Sequence, residues 1–114
     1  MNGILINPHI KSVTAVLIDP ADVLSSLYWI MDCRNVAVII PNEDMTIYAD
    51  EEGRLKQQPG FTFTTRVPGT DKDRIQMISA VGVAIILGPP DGDGNDTAAL
   101  CTPETVRTLV QWNP

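Results

Sequence analysis

AVLIDPADVLSSLYWIMD, residues 15–32, is the stretch from which the fold can be read. Val13, Ala15, Val16, Leu17 and Ile18 form an apolar, β-branched run of strand length. Asp19 ends the run, and its carboxylate suits an N-cap that accepts from amides two or three residues on. Pro20 then takes the first helical position, where a missing N–H costs nothing. Asp22 adds negative charge in the first turn, in favour with the helix dipole. Val23, Leu24, Leu27, Tyr28 and Met31 recur at three- and four-residue spacing and define one apolar face. Asp22, Ser25, Ser26 and Trp29 fall on the other side. A buried strand running into a capped amphipathic helix, ending near Asp32, is expected.

Working outward, Gly3–Ile6 is a short apolar run closed by Asn7-Pro8, and it should form a hairpin with residues 11–18. After the polar break Cys33-Arg34-Asn35, Val36–Ile40 is continuously apolar and reads as a central strand. Met45–Asp50 alternates beyond a Pro41–Asp44 turn, so a half-exposed strand paired with its predecessor is expected. Gly53 closes the next turn, where a positive φ is anticipated. Residues 54–73 are polar and rich in Pro and Gly, with Phe61–Thr65 as an edge strand inside a long connection. Ile75–Ile78 is a short strand or turn, and Val81–Leu87 is the last strong strand. Thr102-Pro103-Glu104 opens a second helix, with Val106, Leu109 and Val110 inward and its end near Trp112. The 114 residues therefore read as one α+β domain, with a mainly antiparallel sheet of five or six strands and two helices.

The formal net charge is −6, and the eight basic residues are scattered. Direct binding to nucleic acid is not expected, because phosphate neutralisation needs clustered Lys and Arg. The acidity serves solubility or meets a basic partner. There is no membrane span of 18 apolar residues and no secretion signal at the N-terminus. Cys33 and Cys101 read as free buried thiols, as in a cytosolic protein.

Catalytic sets are missing from the pattern. The single histidine, His9, sits in a turn without a nearby triad partner, and no phosphate-loop or dinucleotide fingerprint occurs. No catalytic residue, metal or cofactor is assigned. Asp91-Gly92-Asp93-Gly94-Asn95-Asp96 resembles a calcium loop superficially, but Asp96 and Thr102 stand where an EF-hand needs Gly and Glu. Asp50, Glu51 and Glu52 cluster at a hairpin tip, where carboxylates are normally solvated; an enzyme using Asp50 and Glu52 is the minor alternative. Trp29, on the polar side of the helix, marks an interface unless a loop covers it, and Trp112 is a second candidate. Arg54, Lys56, Arg66, Lys72 and Arg74 lie in the central connection; Arg54, Arg66 and Arg74, with Phe63 stacking on a base, could hold a small anionic ligand in an oligomer. Phe61 is a further stacking candidate.

Ile18-Asp19-Pro20 before a helix, Tyr48-Ala49-Asp50-Glu51-Glu52-Gly53 followed by Leu55, and an apolar strand running into Gly88 together resemble a family of small phage and plasmid proteins that carries a domain of unknown function. The resemblance spans roughly residues 4–100 and supplies no catalytic residues. It implies an accessory or anti-defence protein in bacterial cytoplasm. The expectation is a non-catalytic, homo-oligomeric binding protein that sequesters a small nucleotide signal; the rival is an acidic, DNA-mimic-like inhibitor of a host protein.

Overall fold

A computed structural model describes residues 1–42, 44–53, 55–67 and 74–113. It is α+β, with strands β1 (Asn2–Asn7), β2 (Ser12–Leu17), β3 (Val36–Asn42), β4 (Met45–Asp50), β5 (Gly60–Val67), β6 (Arg74–Val81), β7 (Ala84–Leu87) and β8 (Val110–Trp112). Helix α1 is Val23–Met31 and helix α2 is Pro103–Leu109. The strands form a five-stranded sheet, ordered β2-β1-β7-β4-β3, and a three-stranded sheet, ordered β6-β5-β8. All pairings are antiparallel.

The period of two along β7 explains the layering. Ala84 and Ile86 point into a core shared with Ile4, Ile47, Phe61, Phe63 and Val106, which places the small sheet and α2 on that face. Ile85 and Leu87 point the other way, into a core with Ile18, Leu27, Met31 and Tyr48, under α1. Phe61, Phe63, Ile85, Ile86 and Leu87 are each at most 1% exposed. Burial of side chains this size stabilises by about 1.5–3 kcal/mol apiece.

Several local expectations are corrected. The strand of residues 15–18 is not buried along its length: β2 is a sheet edge, with Val13 and then Ile18 buried but Leu17 78% exposed. β3 is the opposite edge rather than the centre, and β7 takes the central place. β4 is buried on both faces from Thr46 to Asp50, because helix and small sheet cover it from both sides. β5 is the middle of its sheet, since residues 110–112 leave α2 and pair with it. Trp112 packs edge-on to Phe61 at a centroid distance of 6.5 Å, a geometry that favours aromatic pairs.

Helix α1 starts later than the Asp19-Pro20 signal suggests. Asp22 is the N-cap, its Oδ1 accepting from Ser25 N at 3.3 Å. Asp19 instead accepts from Ala21 N and donates its own N–H to Ser26 Oγ, an Asx turn that ends β2. Leu24 is 51% exposed, so the buried stripe is narrower than the spacing implied. Thr102 caps α2 as read, accepting from Thr105 N at 3.2 Å, with Pro103 following.

Gly53 does not have the positive φ expected of it. A Cβ there would lie 2.3 Å from the carbonyl oxygen of Val81. Its small size lets the segment after β4 fold back onto the end of β6. Gly82, between β6 and β7, does use the left-handed region, at φ +87°.

Candidate functional site

That fold-back builds a site at the C-terminal end of β4. Asp50 shares the helix-side face with Tyr48 by strand parity, and it is 7% exposed rather than solvated at a hairpin tip. Its Oδ1 accepts from Glu52 N at 2.9 Å and its Oδ2 from Lys56 Nζ at 2.9 Å. A buried carboxylate needs this compensation. The bond to Asp50 in turn holds the Lys56 ammonium above its ordinary range.

Beside this pair the chain leaves α1. Asp32 ends the helix at φ 51°, and Cys33 N donates to Tyr28 O at 3.3 Å. Glu51 N donates to Asn35 O, tying the two segments together. Between them lies a half-open cleft of about 300 Å³, lined by Asp32, Cys33, Arg34, Glu52 and Lys56. Burial pushes the Cys33 thiol up, and the negative charge of Asp50 adds to it; both disfavour the nucleophilic thiolate.

The second feature is the outer surface of α1. Trp29 is 87% exposed. Asp19, Asp22 and Asp32 lie at the two ends of the helix, all exposed. Loop 91–96 is tied to the same side of the sheet: Tyr48, rooted in the helix-side core, donates its hydroxyl to Asp96 Oδ1 at 2.5 Å. Burial first, then this bond, raise the Tyr48 phenol well above its usual range. Within the loop, Asp91 Oδ1 accepts from Asp93 N and Asn95 N, both at 2.9 Å. These amides hold the Asp91 carboxyl below its ordinary value, and they explain the Asp-Gly-Asp-Gly-Asn-Asp run as a self-closing turn.

The residues proposed from sequence are dispersed. Arg54 and Lys72 lie outside the described residues, as do the side chains of Arg66 and Arg74. Those two occupy the distal end of the β5–β6 hairpin, where Val67 pairs with Arg74. Gly60 and Val81 mark the other end; at about 3.3 Å per residue that is roughly 20 Å away. The structure therefore does not bring Arg66 and Arg74 to the Lys56 end. Phe63 is 0% exposed and offers no face to a base, and Phe61 is equally closed. Trp112 is half-buried against Phe61. Trp29 stands open. Sequence reasoning missed Cys33 and Arg34 as lining residues, and their signal was the polar break itself. Cys101 and Cys33 are both free.

A family model covers residues 1–111 of the chain. The chain belongs to the DUF3846 family, a domain of unknown function. The match spans both helices and strands β1 to β7 of this DUF3846 domain, and the first two residues of β8. No curated protein and no solved structure matches it. Among its described residues, no helix is long and apolar enough to cross a membrane.

Proposed function

We propose that this DUF3846 chain is a non-catalytic binding protein that captures a basic surface of a host protein on the outer face of α1. The reading places it as a phage or mobile-element accessory factor acting in bacterial cytoplasm. The observation that carries it is an 87%-exposed Trp29 on a helix with Asp19, Asp22 and Asp32 at its ends, with the Asp91–Asp96 loop tied to the same side of the sheet by Tyr48. An aromatic anchor inside a polar, largely acidic rim is the arrangement of an interface hot spot, and the rim supplies steering towards positive charge. The test is affinity capture from bacterial lysate with wild type, Trp29→Ala and Asp93→Lys as baits. A basic protein retained by wild type, released by salt and lost with Trp29→Ala supports the reading. Equal capture by all three baits overturns it.

The cleft favours a second reading, sequestration of a small nucleotide signal. Its volume suits a small ligand, and its wall sets the cations Arg34 and Lys56 against Asp32 and Glu52. Calorimetry with a panel of cyclic nucleotides tests this, and absence of heat for every member removes it. In either reading Asp50 holds Lys56 and the Glu52 amide, and does no acid–base work.

A further inference from the structure

The geometry points to a homodimer in which the β2 edges of two copies pair antiparallel, Ala15 opposite Ala15, joining their five-stranded sheets into one. Hydrogen-bond parity shows which groups are on offer. Ile18 N bonds Met1 O at 2.8 Å, so even-numbered residues of this strand face β1. Val13 O faces the other way, where Arg107 Nη2 donates to it at 2.8 Å. The backbone groups of Ala15 and Leu17 share that outward parity, and both residues are exposed.

Sheet edges are normally defended by charge, proline, bulges or shortness. Two other edges of this fold show such devices. β3 contains Pro41 and a register shift between Ile39 and Asn42. β8 has three residues. β2 is Ser-Val-Thr-Ala-Val-Leu, regular in register and without charge or proline. It also ends on an exposed Leu17.

Charge selects a second copy as the occupant. Two chains of net charge −6 repel over most of their surfaces, so an uncharged strip is where they can meet. Lys11 precedes the strip and Asp19 follows it, both exposed. With Ala15 on the two-fold axis, Val13 faces the partner's Leu17 and Lys11 faces the partner's Asp19, twice by symmetry. The carbonyl of Val13 can keep Arg107 and still accept a second donor. This inference does not rest on the α1 reading: the two surfaces share Asp19 but not Trp29, which lies outside the β2 strip.

The test is mass by light scattering and sedimentation on the full chain across micromolar concentrations. Wild type should reach dimer mass. Ala15→Pro removes an outward donor without touching the β1 ladder, and Leu17→Lys puts a charge opposite the partner's Val13 and diagonal to the partner's Lys11; both should stay monomeric with unchanged circular dichroism. Lys11→Glu should weaken the dimer at least several-fold. A monomer at every concentration, or a dimer that survives both Ala15→Pro and Leu17→Lys, overturns the proposal.

Discussion

The carboxylate of Asp50 and the ammonium of Lys56 meet at 2.9 Å, with the acid side chain 2% exposed and the base 35% exposed. The acid is the partner that depends on the pair. Asp50→Ala strands the Glu52 amide and should cost about 1–3 kcal/mol, whereas Asp50→Asn keeps an acceptor and should cost less. Urea midpoints for the two variants check this ordering.

The same pair has an alkaline signature. Because the folded-state pKa of Lys56 lies above its ordinary 10.5, its contribution is complete below that value and is lost as pH rises through the folded pKa. The melting-temperature gap between wild type and Lys56→Gln should be constant near neutrality and shrink above pH 10.5. A gap that widens with pH would sink this account.

Tyr48→Phe should unlatch loop 91–96 from the helix side. Loss of a phenol–carboxylate bond from a 9%-exposed tyrosine should destabilise by about 1.5–3 kcal/mol. Its pKa is raised from 10.0, so this stabilisation too is present below pH 10 and is lost as pH rises through the folded value. Spectrophotometric titration of wild type against Tyr48→Phe should show the missing phenol ionising above the ordinary tyrosine range.

Two glycines should respond oppositely to alanine. Gly53→Ala drives a Cβ into the Val81 carbonyl and should cost about 1–3 kcal/mol. Gly92 has nothing within 4 Å of such a Cβ, so Gly92→Ala should stay within about 0.5 kcal/mol of wild type. Chemical denaturation separates the two.

The tryptophans divide in the same way. Trp29→Ala should leave stability within about 0.5 kcal/mol, while Trp112→Ala removes the edge-on contact to Phe61 and should cost about 1–3 kcal/mol. Thermal melts of the pair decide it.

Features set by neighbours in the chain were legible from sequence: both helices, the β1–β2 and β3–β4 hairpins, and the Thr102 cap. What was not legible depended on distant partners. Val36–Ile40 looks like a central strand because it is apolar throughout, yet β7 inserts between β1 and β4 and leaves β3 at the rim. Phe61–Thr65 looked like an edge because the residues that flank it as β8 read as the tail of a helix. Asp50 looked solvated because the return of the chain across it depends on Gly53 meeting Val81, a contact between residues far apart in sequence. The cleft was hidden for the same reason, since its lining comes from the exits of α1 and β4.

The central place of β7 also sets an order on events during synthesis. Residues 2–17 and 36–50 can each close into a hairpin as they leave the ribosome. Neither hairpin has a route to the other until residues 84–87 arrive to pair with both. A nascent chain thus carries two half-sheets with a strand-wide gap between them from residue 50 until residues 84–87 have been added. Such late, long-range closure slows folding and leaves unpaired edges open to chaperones or to aggregation in the interval.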